Sequence, residues 1–338
     1  MSGKDLEHFE RYGWKVNETN LATLPDTAPE EAKLLTKWLT LEGRRSSLAE
    51  WLGCVDDKDS RIHGKFWHIG AWTHRMSHSN PNQANIMSTF HGTPKNAVEE
   101  VKDKYDGRLR ELWTTDGYLV GADASGIQLR ILAHYMKSQE YVEAIVSGDS
   151  KLETDIHNLN KKALGPLCRD RDTAKTFIYA FLLGAGYPKI AEILGCSTAN
   201  ATVAVANFLA ALPGLKRVKE GTIKRDASRG YFIGLDGRKV LCDSEHLMLA
   251  GYLQNGEAVV MKHATVLWTR KATEAGIPYR LVDLVHDEWQ VECLGSYEDA
   301  TKLGELMVES LREVGHDLGL FCPLDGEFKI GKNWKETH

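Results

Sequence analysis

Two carboxylates stand at the ends of apolar runs that are typical of buried strands. Asp123 ends the run Tyr-Leu-Val-Gly-Ala-Asp, and Asp287 lies between the apolar arms 280–285 and 289–293. A lone aspartate at a strand end is usually a helix cap or a turn residue, and charges at a hairpin tip are usually just solvated. Carboxylates on two strand ends can instead converge on hard divalent cations such as Mg²⁺, which prefer oxygen ligands. A pair of such ions roughly 3.5–4 Å apart would stabilise the attacking and the leaving oxygen of a phosphoryl transfer.

A second group of residues could bind the phosphates of such a substrate. Arg171, Lys175 and Tyr179 are spaced i, i+4 and i+8, so a helix would present all three on nearly the same face. The two cations could bind a triphosphate, and the aromatic ring could stack against a base or a sugar. The alternative is an exposed basic helix face with one buried tyrosine, which is common in helical proteins.

The elements that must position these residues can be predicted from the apolar periodicity and the turn residues. They are, in chain order, loops and short strands at 56–93, a strand at 118–123, a helix at 126–136, a helical tract from 155 to 213 with breaks at Gly165-Pro166 and Gly184–Pro188, a hairpin around Asp236-Gly237, a helix at 246–272, and strands at 280–285 and 289–293. An antiparallel sheet interrupted by a large helical insertion is the simplest arrangement of this order, and it predicts an α+β fold.

The composition is that of a globular protein. The chain has 338 residues, with 42% hydrophobic and 26% charged residues, which is enough for about two domains. No stretch is long and apolar enough to span a bilayer, and the N-terminus lacks the order of a signal peptide. Six scattered cysteines form no CxxC pair and no zinc-finger spacing, so we expect reduced thiols rather than disulfides.

The formal net charge of −5 argues against a protein that coats nucleic acid indiscriminately. It does not exclude a basic groove on an acidic body, because phosphate contacts need local lysines and arginines rather than a positive total. Six basic residues fall between positions 216 and 229. Alone, such a run predicts only a solvated face.

Three motifs resemble those of the family A DNA polymerases, and in particular those of the replicative polymerases of short-tailed bacteriophages. Asp123-Ala-Ser-Gly-Ile-Gln-Leu-Arg resembles motif A. Asp155-Ile-His, followed by the segment from Arg171 to Gly184-Ala-Gly, resembles motif B on the mobile fingers helix. Leu284-Val-His-Asp-Glu resembles motif C. Three motifs in the right order are far more specific than any one of them alone.

Weaker matches extend the resemblance along nearly the whole chain. They are Lys4 to Lys15 near the base of the thumb, Thr73-His-Arg75 with Pro81-Asn82, Gly234 to Lys239 with Gln254, and the C-terminus from Gly331. The resemblance implies a right-hand polymerase fold, in which helical fingers are inserted into a palm built on an antiparallel sheet. The implied boundaries are 1–52 for a thumb-base remnant, 53–136 for the first palm segment, 137–249 for the fingers and 250–338 for the second palm segment.

The resemblance also implies an activity, which is the template-directed addition of dNTPs to a primer 3′-OH in phage-type DNA replication. Its partners would be primer-template DNA and dNTPs. Asp123, Asp287 and Glu288 would be the catalytic residues. Two Mg²⁺ ions, for which Mn²⁺ could substitute, would be held by Asp123, Asp287 and the main-chain carbonyl of Ala124.

The resemblance assigns further residues to the substrates. The nucleotide-binding set would be Arg171 and Lys175 on the β and γ phosphates, Tyr179 on the sugar and base, His157 near the phosphates, and Gln128. The DNA-binding set would be Arg75, Gln254, His286 and Arg238. Arg75 and Gln254 would bond minor-groove acceptors, which lie at similar places in every correct base pair and so test geometry rather than sequence.

Two positions depart from the family pattern. The family usually has a glutamate that bonds a tyrosine, where this chain has Gln128 and Leu183. That glutamate helps to exclude ribonucleotides by blocking the 2′-hydroxyl. Gln128 is nearly the same size, so the steric block would survive without its anchor, and we expect somewhat weaker sugar discrimination.

The length is a further departure, because family members normally carry an exonuclease domain and a full thumb before the palm. We therefore expect either a shortened polymerase or one subunit of a split polymerase, whose exonuclease and thumb lie on a separate polypeptide. We expect no contact with a membrane and a location in the cytoplasm, in a phage-infected bacterial cell.

Two other classes of protein stay open at this point. One is a DNA-binding subunit without catalysis, and the retention of both aspartates together with the Arg-Lys-Tyr face speaks against it. The other is a nuclease with two metal ions. A nuclease does not need a triphosphate-binding face, so the segment from Arg171 to Tyr179 separates the two enzymes.

Overall fold

The computed structural model describes residues 11, 13–21, 23–25 and 27–338. The segment 4–15, which was assigned to the base of the thumb, lies largely outside the described residues. The chain forms two compact units. The first contains the described residues up to Phe66, together with His78–Leu119 and Ile330–His338, and the second contains Trp67–Ser77 and Val120–Lys329. The boundaries between palm and fingers stay a prediction.

The first unit is built on helices α1 (Glu18–Leu21), α2 (Glu30–Gly53) and α3 (Ala97–Glu111). Helices α2 and α3 are joined by a nearly buried ion pair, in which Arg44 Nε lies 2.9 Å from Asp106 Oδ1. Helix α3 was not predicted. Its sequence has few apolar residues at helical spacing, and the clearest signal is Asn96, whose side chain accepts from the main-chain N–H groups of the first turn.

Short strands β1 (Lys65–Trp67) and β2 (Ser77–Ser79) pair with each other and lie in the segment 56–93, for which loops and short strands were predicted. The main sheet has four strands. They are β3 (Thr114–Ala124), β6 (Tyr279–Val285), β7 (Glu288–Cys293) and β8 (Gly326–Asn333), and their spatial order is β6-β7-β3-β8. Strands β6 and β7 form the predicted antiparallel hairpin, so the α+β prediction is confirmed.

Strand β7 is buried at every residue. Its apolar side chains alternate with polar ones, because successive residues of a strand point to opposite faces. Trp289 lies on the apolar face, where its ring is 6.3 Å from that of Trp268 and its Nε1 donates to Thr265 Oγ1 at 2.8 Å. Trp268 and Thr265 belong to the long helix α12 (Glu245–Glu274), which agrees with the helix predicted at 246–272. The sheet is therefore covered by the helix that carries the candidate site residue Gln254.

The helical insertion consists of α4 (Ile127–Met136), α5 (Gln139–Val146), α6 (Ile156–Leu164), α7 (Arg171–Leu182), α8 (Tyr187–Leu194), α9 (Thr198–Ala211), α10 (Pro213–Arg217) and α11 (Lys224–Arg229), and the hairpin strands β4 (Tyr231–Ile233) and β5 (Lys239–Leu241) follow it. The breaks predicted near 165 and 184–188 are present. Phe177, Phe181 and Phe208 form the core of this block, with ring centroids 5.0–5.6 Å apart.

Two features of the insertion differ from the prediction. A further break falls at Gly195, whose left-handed φ of 64° ends α8. The helical tract also does not end at Pro213, because this proline occupies the first turn of a new helix, where it loses no hydrogen bond. The basic stretch 216–229 is therefore helical, with a π-helical turn at Val218–Ile223 between α10 and α11.

Helix α13 (Tyr297–Asp317), which was not predicted, packs along α12 and begins with a capping box between Ser296 and Asp299. The six cysteines are free. Among the described helices, none is by itself long and apolar enough to cross a membrane, and one bent pair, Tyr187–Leu194 with Thr198–Ala211, meets that test jointly.

Candidate active site

Asp123 lies at the end of β3, where the chain turns directly into helix α4. Gly126 makes this turn with a φ of 57°, a left-handed conformation that glycine adopts without strain. The buried side chain of Arg130 holds the turn, since its Nε donates to the carbonyl of Ser125 at 2.7 Å. The turn thus fixes the direction in which the strand delivers its carboxylate.

Asp287 lies in the two-residue turn between β6 and β7. Val285 pairs with Glu288 across the hairpin, and the exposed His286 takes a φ of 55° to complete the turn. The main-chain N–H of Ala124 donates to the carbonyl of Asp287 at 2.9 Å. This bond joins the end of β3 to the hairpin turn, so the two aspartates predicted from distant strand ends are brought together.

Burial and neighbouring carboxylates raise the pKa of both aspartates. Burial, followed by the negative charges of Asp287 and Glu288, raises the pKa of Asp123 to about 7. Burial, followed by the charge of Glu257, raises the pKa of Asp287 to about 6. Carboxylates that resist ionisation in this way fit a divalent cation, because its charge would favour their ionised form. Within the described residues, no group of three or more His, Cys, Asp or Glu side chains is arranged to hold a metal ion, so water and substrate oxygens would have to complete the ligand set.

Glu288 begins β7 and is buried. Its carboxylate accepts a hydrogen bond from the side-chain amide of Gln290. Its charge is also one of the causes of the raised pKa of Asp123. Its accessory role beside the two aspartates stays a prediction.

Helix α7 begins at Arg171, and the preceding Asp170 caps it by accepting from the N–H of Thr173 at 2.7 Å. Arg171 does not extend freely into solvent, because its Nε donates to Asp155 Oδ2 at 2.6 Å. Burial opposes ionisation of Asp155, but the hydrogen bonds from Arg171 and from the N–H of Asn158, together with the charge of Arg171, hold the pKa of Asp155 below its usual range. Lys175, one turn further on, is exposed. Arg171, which was predicted to bind phosphate, is therefore paired with a carboxylate in this structure.

Tyr179 lies at the far end of the same helix face and is half-buried. Burial, and then the charges of Asp287 and Asp123, raise the pKa of its hydroxyl, which shows that the ring lies near the aspartate pair. The buried ring of His157 lies 6.3 Å from that of Tyr179, and burial followed by the charge of Arg171 lowers its pKa. The structure thus brings His157 near Tyr179 and near the charge of Arg171.

Arg75 lies on the loop between β1 and β2, which is held against helix α12. Lys262 Nζ donates to the carbonyls of His68 and His74, at 2.6 Å in both cases. The loop packs closely because helix α12 has a glycine beneath it: a Cβ at Gly251 would lie 2.6 Å from the Trp72 ring. Helix α12 therefore positions the loop that carries Arg75.

The remaining DNA-binding candidates lie on α12 and on the β4–β5 turn. Gln254 is half-buried on α12. Arg238 lies in the β4–β5 turn, where its Nε donates to Asp236 Oδ2 at 2.6 Å. Its charge, after burial, contributes to the lowered pKa of His74, the residue before Arg75. Arg238 is therefore near the Arg75 loop.

Glu257 was not among the site residues predicted from the sequence. It is fully buried on α12, one turn after Gln254, and it accepts hydrogen bonds from Arg75 and from Gln128. The available signal was that Glu257 directly precedes the apolar run Ala-Val-Val-Met, at a position where helix periodicity predicts an apolar side chain. Asp155 was identified only as part of a motif, and its pairing with Arg171 was not foreseen.

The fold and this arrangement of residues define a class of protein. The chain resembles the solved structure of the POL domain of Pol1 from M. smegmatis in complex with DNA primer-template and dNTP, with a TM-score of 0.78 and 22% identity, over 99% of this chain and 61% of that one. At this identity the likeness shows the fold, which is that of a polymerase domain. The resemblance proposed from the three motifs thus extends to the tertiary structure.

The sequence comparisons assign the family. DNA polymerase family A matches residues 3–336, and the chain belongs to this family. The DNA-directed DNA polymerase of Enterobacteria phage T3 is 33% identical over 334 residues, covering 90% of this chain and 46% of that protein. That of Escherichia phage T7 is 32% identical with the same coverage. The chain thus spans about half the length of these curated relatives.

Proposed function

We propose that this chain is the palm and fingers part of a template-directed DNA polymerase, which adds dNTPs to a primer 3′-OH. The observation that carries the proposal is the joining of Asp123 and Asp287 by the Ala124 N–H bond, with Tyr179 of helix α7 beside them. Phage relatives named DNA-directed DNA polymerase support this activity. They also support a role in DNA replication inside a phage-infected bacterial cell.

Asp123, Asp287 and the carbonyl of Ala124 would hold two Mg²⁺ ions, for which Mn²⁺ could substitute. When bound, such ions lower the pKa of the attacking hydroxyl and neutralise charge on the departing pyrophosphate. The residues themselves supply a rigid, partly desolvated pair of oxygen ligands. Glu288 adds a third negative charge, and His286 at the exposed hairpin turn would lie near the primer end.

The fingers helix would bind the incoming nucleotide. Arg171 and Lys175 would neutralise the β and γ phosphates, His157 would lie near them, and Tyr179 would pack against the sugar and base. Arg171 must break its ion pair with Asp155 before it can bind a phosphate. Nucleotide binding and movement of helix α7 are therefore coupled. Closing only on a correctly paired nucleotide would use this movement for specificity.

The duplex would lie against the Arg75 loop and helix α12. Arg75 and Gln254 would donate to minor-groove acceptors, and Arg238 would contact the backbone from the β4–β5 turn. These contacts are insensitive to base sequence, which suits an enzyme that must accept every template.

Primer extension on a primed template with Mg²⁺ tests the proposal, with Asp287→Asn as the inactive variant and Asp103→Asn, an exposed carboxylate of helix α3, as the matched control. We expect extension by the wild type and the control, and none by Asp287→Asn. Shortening of the primer without dNTP-dependent growth would instead identify a nuclease. DNA binding without either reaction would identify a non-catalytic subunit.

The same assay tests for the separate exonuclease and thumb polypeptide that the sequence resemblance suggests. In the presence of a trap that prevents rebinding, a chain that needs such a partner should add only a few nucleotides per binding event. Product lengths equal to those of the phage T7 relative would show that no partner is required.

A further inference from the structure

A single buried carboxylate links three segments of the candidate active site. Glu257 on α12 has no exposed surface. Its Oε2 accepts from Arg75 Nη2 at 2.6 Å and from Gln128 Nε2 at 2.9 Å. Arg75 comes from the β1–β2 loop, and Gln128 comes from the first turn of α4, immediately after the Asp123 turn. One oxygen atom therefore fixes two substrate-facing side chains with respect to each other.

A glutamate at position 257 carries a large free-energy cost of burial. A buried carboxylate loses its hydration, and this cost is offset only by good hydrogen bonds and a nearby cation. The four residues after Glu257 are apolar and buried, and both the Oε1 atom of Glu257 and the Nε atom of Arg75 have no hydrogen-bond partner within the described part of the chain. An apolar residue here would leave both Arg75 and the Gln128 amide without this acceptor, so the glutamate is accounted for by the two side chains that it holds.

The chemistry of the Glu257–Gln128 pair is directional. Because Glu257 is an acceptor, position 128 needs a donor, and a glutamate there would place a half-buried carboxylate about 3 Å from the buried one, so that the two charges would repel each other. Leu183 stands where the family pattern has the tyrosine that bonds residue 128, and it is apolar and 51% exposed. The side chain that holds Gln128 therefore comes from helix α12 instead.

We propose that Glu257 is the positioning residue for sugar selection in this protein. It anchors the side-chain amide of Gln128 against the sugar of the incoming nucleotide and holds Arg75 at the primer-side minor groove. The expected weakness in sugar discrimination is then compensated by Glu257. This inference rests on the proposed polymerase function.

The test is a double-mutant cycle of Gln128→Glu, Glu257→Gln and the exchange of both. Gln128→Glu should lower the dNTP-to-rNTP ratio of kcat/KM at least 10-fold, because the two carboxylates repel. Glu257→Gln alone should change the ratio about 3-fold or less, since an amide oxygen can still accept. The exchanged pair should return to within about 3-fold of the wild type, because the amide introduced at position 257 would then donate to the new glutamate at position 128.

Glu274→Gln, the same substitution at an exposed site of the same helix, is the matched control and should leave the ratio unchanged. Thermal unfolding of each variant separates loss of fold from loss of selection. If every folded variant keeps the wild-type ratio, or if the exchange does not rescue Gln128→Glu, the positioning role is refuted while the polymerase stands. If the wild type extends no primer, the proposed function fails and this inference fails with it.

Discussion

Asp123→Asn is expected to stabilise the metal-free protein while it abolishes primer extension. In the folded protein, burial and the neighbouring carboxylates raise the pKa of Asp123 from 3.8 to about 7. At pH 8 the folded protein must therefore keep a charge that its surroundings disfavour. Asparagine has nearly the same shape and no charge, so it removes this penalty.

The magnitude follows from the shift in the pKa of Asp123. The pKa of Asp123 rises from 3.8 to about 7, and at about 1.36 kcal/mol per pKa unit the upper limit of the destabilisation is about 4 kcal/mol. The carboxylate is only half-buried, and solvent screening reduces the effect to about 1–2 kcal/mol. For a chain of 338 residues, this gain corresponds to a rise in Tm of roughly 1.5–3 °C.

The sign of the pH dependence is fixed by the direction of the shift. As the pH falls from about 7 towards 3.8, folded Asp123 takes up its proton before the unfolded chain does, so the penalty disappears. The advantage of Asp123→Asn over the wild type should consequently be largest at pH 8 and less than half as large at pH 5.

Thermal unfolding in EDTA at pH 8 and pH 5, followed by circular dichroism, measures this difference, and Asp103→Asn is again the control. Mn²⁺ added at pH 8 should raise the Tm of the wild type more than that of Asp123→Asn, because only the wild type keeps both aspartates. A variant that is no more stable than the wild type at pH 8, or an advantage that grows on acidification, would refute the reasoning.

Three further expectations concern the fingers. Arg171→Ala and Lys175→Ala should each raise the KM for dNTP about 10-fold or more, because hydrogen bonds to charged groups contribute about 1.5–3 kcal/mol; unchanged steady-state KM values would contradict their assignment. Asp155→Asn keeps the cap of α6 but removes the ion pair with Arg171, so a nucleotide titration should show affinity about two- to five-fold tighter, and weaker binding is the contrary outcome. Phe177→Ala removes a fully buried ring and should lower the free energy of unfolding by about 3–5 kcal/mol. The control substitution Val203→Ala, at an exposed position, should change the free energy of unfolding by less than about 0.5 kcal/mol. Urea titration measures both variants, and equal losses would argue against the aromatic core.

Strong local patterns made part of the fold predictable. The strand ending at Asp123, the helix after it and the hairpin around Asp287 each carry a clear apolar period and a turn residue. Helix α3 and the break at Gly195 could not be predicted in this way. The first is a mostly charged helix with few apolar positions, and the second depends on one left-handed residue inside a tract that is apolar on both sides.

The candidate site was predictable where it consists of residues near one another in the sequence. Arg171, Lys175 and Tyr179 follow from helix geometry alone, and their common face is present in α7. The pairing of Arg171 with Asp155 joins the starts of two consecutive helices. Spacing along the chain does not encode that contact, because it depends on how the helices pack.

The sequence by itself determined which residues are candidates for the chemistry, because carboxylates at strand ends and cations on one helix face are local properties of the chain. Only the tertiary structure decided how these residues are connected. The Ala124 N–H bond joins two strands more than 160 residues apart in the chain, and Glu257 reaches Arg75 across 182 positions. Hydrogen bonds of this kind form between segments that packing brings together, so the partner of a buried charge is known only once the chain has folded.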